Sequence, residues 1–213
     1  MNPASQPIQP LALSQRLAQI IEENPERLSF TDLAAQLHYR AWGALLLIFS
    51  SINVLPLPPG TTFFFAMPVL LVAAQMIIGR QTPWFPARLD RRGVTRQELE
   101  RLTGKIDWLE RRVERIFKPR LSVLTGATAA RLIGIACFLL ALIIAIPLPL
   151  LHHAPATSIA LFGLALIYRD GVLVIFAILA SLASLVIDAL IIESGVLALT
   201  YAVSWLHLWP GSH

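Results

Sequence analysis

The sequence predicts an all-α integral membrane protein, and three observations predict it: few charges, apolar stretches of membrane length and one concentrated block of basic residues. The 213-residue chain is 56% hydrophobic and only 14% charged, with a mean hydropathy of +0.66. Soluble domains carry about 25% charged residues. Because so few charges cannot cover a water-soluble globule, we expect lipid to solvate much of the exterior.

The basic block lies between Arg80 and Arg131. It holds thirteen of the 17 lysines and arginines together with six acids, which leaves a net charge of +7. Loops rich in Lys and Arg stay in the cytoplasm and face anionic headgroups, so membrane lipids are the expected partners. Since no base-stacking module accompanies this charge, no nucleic-acid partner is expected.

Residues 1–39 are predicted to be a cytoplasmic amphipathic region. A short helix over Leu11–Ile21 has one apolar face, and Ser29 and Asp32 have capping-box spacing for a second helix. The apolar side of that second helix carries Phe30, Leu33 and Leu37. The polar start lacks the basic-then-apolar order of a cleaved signal, so export of the whole chain is not expected.

Residues 40–80 are predicted to form a first membrane hairpin. Apolar stretches at Ala41–Leu55 and Thr61–Ile78 flank the break Pro56-Leu-Pro58-Pro59-Gly60. Three prolines in four residues cannot lie in a regular helix. The two arms would be about 22 Å and 27 Å long, short of a hydrocarbon core of about 30 Å. The hairpin therefore either spans a thinned bilayer or is re-entrant, with its tip buried in protein or lining a watery cavity.

Residues 81–130 are predicted to be a basic cytoplasmic linker. Pro83-Trp-Phe-Pro86 is typical of an aromatic anchor at the membrane interface. From Thr95 to Lys118, apolar residues recur every three or four positions opposite a charged face, and Thr95 and Glu98 have capping-box spacing. We expect one amphipathic helix there, either on a surface or in a coiled-coil seam.

Residues 131–171 repeat the first hairpin at an offset of 91. Six identities occur at that offset. Arg40, Gly43 and Ile52 match Arg131, Gly134 and Ile143, and Pro56-Leu57-Pro58 matches Pro147-Leu148-Pro149. Both hairpins begin and end at basic residues. The sequence therefore predicts a parallel tandem repeat, related by an axis along the membrane normal.

Residues 172–213 are predicted to be a C-terminal pair of membrane helices, with a turn near Glu193-Ser-Gly195. Asp188 lies inside this apolar region. A carboxylate within a membrane segment is costly and indicates a functional site. The alternative is that Asp188 and Glu193 mark the outer end of a helix at the interface.

The chain resembles the exopolysaccharide-synthesis family ExoD over roughly residues 12 to 205. The resemblance is carried by the Pro-x-Pro-Pro-Gly break, by Gly-Arg-x-x-Pro-Trp at Gly79 to Trp84, and by Arg-Leu-Ile-Gly at Arg131 to Gly134; Lys118-Pro-Arg120 and Arg169-Asp-Gly171 add to it. The resemblance implies a bacterial inner-membrane protein linked to exopolysaccharide production. The second break departs from the family's Pro-Leu-Pro-Phe-Gly-Asn and reads Pro147-Leu-Pro-Leu-Leu-His152. This departure puts a shared ligand role of the second tip in question.

The predicted substrate-binding residues lie at the two breaks, at the repeat-related arginines and at the membrane carboxylate. They are Arg40, Pro56, Pro58, Pro59, Gly60, Arg131, Pro147, Pro149 and Asp188. The two arginines are either cytoplasmic anchors or a pair that binds one phosphate from both halves. His152 and His153 suit a loop at the external interface better than a metal pair, since no Cys or carboxylate is near them in sequence.

No phosphate-binding loop, dinucleotide motif or hydrolase motif is present, so we expect neither an enzyme nor a cofactor or metal. The first functional hypothesis is a component of exopolysaccharide synthesis or export that handles or translocates a polyprenyl-linked or otherwise anionic substrate. The alternative is a structural or regulatory membrane partner of a polysaccharide assembly machine, or a homo-oligomer, with no substrate of its own. A membrane enzyme acting on a lipid phosphate is the weakest hypothesis, because no paired acid and base is visible.

Overall fold

The computed structural model describes residues 22, 27–55, 61–95, 97–101, 103–104, 125–146 and 151–207. These residues are mainly helical, as the sequence predicts. In chain order the elements are β1 (Arg27–Leu28), α1 (Phe30–Leu37), α2 (Tyr39–Val54), α3 (Thr62–Ile78), α4 (Ala87–Arg92), β2 (Val94–Thr95), α5 (Ala127–Ile144), α6 (His153–Tyr168) and α7 (Gly171–His207).

The first described residues form a small layer beside the main bundle. β1 pairs antiparallel with β2, a pairing that the sequence does not reveal. The predicted cap of α1 is confirmed, because the Ser29 hydroxyl accepts a hydrogen bond from the Asp32 amide at 3.0 Å. The Asp90 carboxylate, in α4, accepts two hydrogen bonds from Thr31, at 2.8 and 2.9 Å.

The predicted apolar side of α1 packs against the start of the basic segment. Phe30, Leu33 and Leu37 contact a small buried cluster of Leu28, Val94 and Leu99. The predicted capping box at the start of the linker helix is also confirmed, since the Thr95 amide donates to the Glu98 carboxylate at 3.0 Å. Residues 97–101 are helical.

Four helices form the main bundle, and each arm of one hairpin packs on the opposite arm of the other. The first arm of the first hairpin, α2, packs on α6, while α3 packs on α5. The core between the two pairs is built from side chains of all four helices, including Trp42, Val69, Cys137 and Phe162.

Glycines permit the closest of these approaches. A Cβ at Gly43 in α2 would lie 2.5 Å from the Gly163 carbonyl oxygen in α6, and a Cβ at Gly163 would lie 2.7 Å from the Gly43 carbonyl oxygen. Real Cβ atoms do not come so close to backbone atoms. The two backbones therefore touch directly, as small residues allow in membrane helix pairs.

The exterior of the bundle is apolar. In the part of the chain that the structure describes, two helices, Ala127–Ile144 and Gly171–Tyr201, have the length and apolar composition needed to cross a membrane, and α3 and α6 are shorter apolar helices. Only 17% of the most apolar stretch of α7 is buried inside the protein. Side chains such as Leu182, Val186 and Leu190 are more than half exposed. A core helix of a soluble protein would bury these side chains, so lipid is the medium that fits this surface.

The predicted C-terminal helical pair is wrong. α7 is one helix of 37 residues from Gly171 to His207, and it runs through Glu193-Ser-Gly195 without a turn. The Ser194 hydroxyl donates to the Ile191 carbonyl at 2.9 Å, so it accommodates the helix instead of ending it. A single helical glycine costs only about 1 kcal/mol relative to alanine, which the long apolar flanks on both sides outweigh.

Three predicted features lie outside the described residues. They are the helix over Leu11–Ile21, the two breaks at 56–60 and 147–150, and the linker helix beyond residue 104. The break residues Pro56, Pro58, Pro59, Gly60, Pro147 and Pro149 therefore stay predictions.

Candidate functional site

The end of the bundle at which both breaks lie holds buried polar groups, and we call it the break end. It is bounded by Leu55, Thr61, Ile146 and Leu151, where the described helices stop and resume. Leu55, before the first break, lies next to the imidazole of His152, after the second break. The residues that flank the two breaks therefore lie at the same end of the molecule.

Asn53 ties the two arms of the first hairpin together there. Its side-chain amide donates to the Phe49 carbonyl in α2 and to the Phe65 carbonyl in α3, each at 3.0 Å. The side chain is completely buried, and its Oδ1 atom has no hydrogen-bond partner among the described residues. An acceptor without a donor is thus enclosed close to the first break.

Two stacked histidines stand at the start of α6. The rings of His152 and His153 have centroids 4.0 Å apart, and His152 is 4% exposed. Neither ring nitrogen of His152 has the geometry of a hydrogen bond to a described residue. Burial and the neighbouring His153 lower the pKa of His152, which favours the neutral imidazole with one donor and one acceptor nitrogen.

Asp188 is the third buried polar residue, and it lies on α7. It is 3% exposed, although its neighbours along the helix are exposed. The Ser184 hydroxyl donates to Oδ2 at 3.1 Å, while Oδ1 has no partner among the described residues. Asp188 therefore faces the bundle, and whether it lies within the membrane or at the interface stays a prediction.

Asp188 is level with the start of α6. Only Arg169 and Asp170 separate α6 from α7, and the two helices pack on each other as an antiparallel pair. At about 1.5 Å per residue, Asp188 lies about 26 Å along α7, and the start of α6 lies about 22 Å from its own end. This arrangement places the carboxylate near the histidine level, at the break end.

The polar atoms at the break end are the acceptor oxygens of Asn53 and Asp188 and the imidazole of His152, and apolar side chains surround them. Each buried polar atom without a partner costs about 1–3 kcal/mol, so these atoms mark a place that favours a polar ligand. In the part of the chain that the structure describes, no three His, Cys, Asp or Glu side chains come together in a way that could hold a metal ion.

The opposite end, which we call the basic end, contains Arg131. This end is formed by the start of α2, the end of α3 and the start of α5, and a cavity of about 110 Å³ lies among them. Its polar and aromatic lining consists of Tyr39, Trp42, Gly79, Arg80, Gln81 and Arg131. Arg40 is not among the residues that line it, so the predicted pairing of Arg40 with Arg131 stays a prediction.

The Arg131 guanidinium packs directly on Gly79. A Cβ at Gly79 would lie 2.6 Å from Arg131 Nε and 2.8 Å from Cζ. Gly79 also has φ of +80°, the left-handed conformation that ends α3, and the Arg80 amide donates back to the Gln75 carbonyl at 3.2 Å. Glycine is needed here both for its backbone angle and for the space that the arginine occupies.

An apolar groove of about 550 Å³ runs beside the bundle, between α1, α2, α3 and the segment 83–86. It is lined by residues such as Phe30, Leu37, Phe49 and Pro68, and it borders the exposed side chains of Ile48, Leu71 and Trp84. The Trp84 amide donates to the Gln75 side chain at 2.6 Å, which fixes the aromatic segment to α3.

Of the predicted site residues that the structure describes, Asp188 lies at the break end and Arg131 at the basic end, so they do not form one site. Sequence reasoning missed Asn53 and Arg80, and it assigned His152 to an external loop. An asparagine inside an apolar stretch, three positions before a Pro-x-Pro break, was the available signal for Asn53.

Comparison with known proteins gives two relatives. The uncharacterized protein slr1875 of Synechocystis sp. (strain ATCC 27184 / PCC 6803 / Kazusa) is 26% identical over 208 residues, which cover 93% of this chain and 98% of that protein. Protein ExoD of Rhizobium meliloti (strain 1021) is 30% identical over 120 residues, which cover 54% of this chain and 50% of that protein. No solved structure matches the chain.

The family comparison covers most of the chain. The model described as "Exopolysaccharide synthesis, ExoD" matches residues 13–190. These residues include both hairpins and the first half of α7, with Gly79, Arg131 and Asp188. The chain therefore belongs to the ExoD family, which is linked to exopolysaccharide synthesis.

Proposed function

We propose that this chain is a multi-pass inner-membrane component of exopolysaccharide synthesis or export that handles a lipid-linked or otherwise anionic substrate without catalysing a reaction on it. The family supplies the link to the polysaccharide. The apolar exterior of α5 and α7 supports a location in the membrane. The excess of Lys and Arg in the basic segment supports an orientation with that segment in the cytoplasm.

The proposal includes the parallel tandem repeat. The exchange of arms, α2 on α6 and α3 on α5, is the packing that a two-fold relation between hairpins produces. Gly43 has its counterpart in Gly134, whose Cβ would lie 2.8 Å from the Met76 Cβ and 3.2 Å from the Ala73 carbonyl. An offset of 90 residues relates Ala73 and Met76, the partners of Gly134, to Gly163 and Leu166, the partners of Gly43. This correspondence supports equivalent contacts in the two halves.

The observation that carries the proposal is the set of unpartnered polar atoms at the break end. Asn53 Oδ1 and Asp188 Oδ1 are buried without partners among the described residues, and at the same end the imidazole of His152 is buried beside the Leu55 backbone. A membrane bundle built only for packing or for contact with a partner protein would gain stability from apolar residues at these positions. Most of these atoms are hydrogen-bond acceptors, so they suit the hydroxyl donors of a lipid-linked sugar and not the anionic group itself.

The test is the substitution Asp188→Asn in the producing bacterium. The new amide side chain keeps the size of the carboxylate and can still accept the hydrogen bond from Ser184, so we expect the protein level to stay unchanged while polysaccharide output falls several-fold. The matched control is Glu193→Gln, which removes the same charge from an exposed position on the same helix and should leave output unchanged. Secreted polysaccharide and membrane-fraction protein are measured together.

Full output from Asp188→Asn at normal protein level would contradict the handling of a substrate at the break end. The alternative function, a structural or regulatory partner without a substrate, would then account better for the bundle.

A further inference from the structure

The cavity at the basic end has the composition of a phosphate site. Arg80 and Arg131 approach it from different elements, one after α3 and one in the first turns of α5, and Tyr39 and Gln81 add polar groups. Both arginines are exposed to solvent, and an anion placed in the cavity would be attracted by both of their charges.

We propose that this cavity binds the phosphate group of an anionic membrane lipid, with Arg80 and Arg131 as its charged ligands. The proposal deepens the proposed function, on which it rests for the membrane setting, because it names phosphate as the recognised group. Guanidinium groups suit phosphate oxygens, since their donors form a planar fork and stay charged at every physiological pH.

The position of Gly79 supports a built site instead of a chance pair of surface arginines. Because the Arg131 side chain lies against the Gly79 backbone, a residue with a Cβ at position 79 would force the end of that side chain to shift. Trp42, which is 1% exposed, closes the inner wall, and the opposite side opens at the end of the bundle. The guanidinium is thereby directed by the backbone.

The location suits a lipid headgroup. The cavity lies at the end of an apolar bundle, where the chain leaves α3 and enters the basic segment, and Arg88, Arg91 and Arg92 of that segment are exposed. Arginine side chains at this level meet the phosphate layer of the cytoplasmic leaflet. A free phosphate could enter by the same opening, so the experiment has an arm for each source.

The experiment uses the full chain purified in a zwitterionic detergent, with native mass spectrometry to count bound lipid. The probes are a polyprenyl phosphate, phosphatidylglycerol and, as the lipid without a phosphate group, diacylglycerol. Inorganic phosphate is added as a competitor. We expect the two anionic lipids to bind and diacylglycerol not to bind. Displacement by inorganic phosphate would assign recognition to the phosphate alone, while its failure to displace would assign recognition to the phosphate together with its lipid chain.

Three variants test the ligands. Arg131→Gln and Arg80→Gln should each weaken the binding of anionic lipid about tenfold or more, the loss typical of one charge-assisted hydrogen bond. Gly79→Ala keeps every charge but displaces Arg131, and it should weaken binding to a similar extent. The control Arg92→Gln removes the same charge from an exposed residue outside the cavity and should change binding less than twofold.

Two results would overturn the proposal: binding unchanged in both arginine variants, or a loss in Arg92→Gln equal to theirs, which would indicate general attraction to the basic surface. Thermal unfolding of each variant separates lost binding from lost folding, and the arginine variants decide the outcome if Gly79→Ala does not fold. Failure here leaves the Asp188→Asn result untouched, because that variant changes the other end of the bundle.

Discussion

At the scale of single residues, small side chains set the distance between the helices of the bundle. Gly43 and Gly163 bring α2 and α6 into backbone contact, and neither position has room for a methyl group. In a membrane, where lipid tails are as apolar as leucine, such close packing is a main source of helix association. Gly195 on α7 differs, since a Cβ there would meet nothing within 4 Å.

The glycine contact predicts a large difference between two identical substitutions. Gly43→Ala should lower the free energy of unfolding by about 1–3 kcal/mol, because the methyl group forces the two backbones apart. Gly195→Ala should raise it by up to about 1 kcal/mol, since alanine is the better helix former and nothing obstructs it. Thermal or denaturant unfolding in detergent, followed by circular dichroism, measures both. Equal effects of the two substitutions would contradict the close contact.

Part of the candidate site was predictable from residue type alone. Asp188 and Arg131 are charges in apolar or repeated surroundings, and the cost of charge in a membrane singles them out. Asn53 and the Arg80 cavity were not predictable, because their roles depend on non-local contacts. The Asn53 amide is bound by the Phe65 carbonyl from the other arm, and Arg80 meets Arg131 only after α3 and α5 have packed.

At the scale of elements, capping residues in the sequence predicted where helices begin, but the sequence did not predict that α7 is one continuous helix. Ser29 and the Thr95–Glu98 pair act as the sequence predicts, since capping depends on neighbours in the chain. The prediction of a turn at Glu193-Ser-Gly195 was wrong, because α7 continues through these residues. Polar residues and a glycine end a helix only where other contacts stabilise the bent backbone. The pairing of β1 with β2 had no local signal, since two residues carry no periodicity.

The breaks give the prediction at this scale. Replacing Pro58 and Pro59 by Ala should let α2 run on past Val54, because alanine is favoured over proline by about 3 kcal/mol per position in a helix interior. The hairpin would then lose its tight return, and with it the approach of Asn53 to α3. We expect normal protein in the membrane fraction and a clear fall in polysaccharide output.

The same change at Pro147 and Pro149 should have the same effect if the halves act together. Arg92→Ala, an exposed position far from both breaks, serves as the control and should be mild. Normal insertion with full output from both proline variants would mean that the breaks are simple turns.

At the scale of the whole molecule, the described helices form a four-helix bundle with one long helix, α7, along its side. In the bundle, α2 packs on α6 and α3 packs on α5, so each arm of one hairpin contacts an arm of the other. α7 has 37 residues and would be about 56 Å long, well beyond a hydrocarbon core of about 30 Å. A helix of that excess length has to tilt, kink or leave the core. Its apolar residues after Asp188 extend past the break end, because the bundle helices have at most 18 residues.

The parallel repeat in the membrane is the central claim, and residues 55 and 146 test it directly. Leu55 and Ile146 are exposed, stand just before the two breaks and are 91 positions apart, so the proposed repeat would make them equivalent. Each is replaced by Cys in a Cys137→Ala background, and a third variant carries Cys in place of Arg92 in α4. Intact spheroplasts are then treated with a membrane-impermeant thiol reagent.

The account predicts that the cysteines at positions 55 and 146 give the same result in intact spheroplasts, both labelled if the hairpins span the bilayer or both protected if they are re-entrant, while the cysteine at position 92 reacts only after the cells are opened. Reaction at one of the two break positions and protection of the other, or reaction of position 92 in intact spheroplasts, would contradict it.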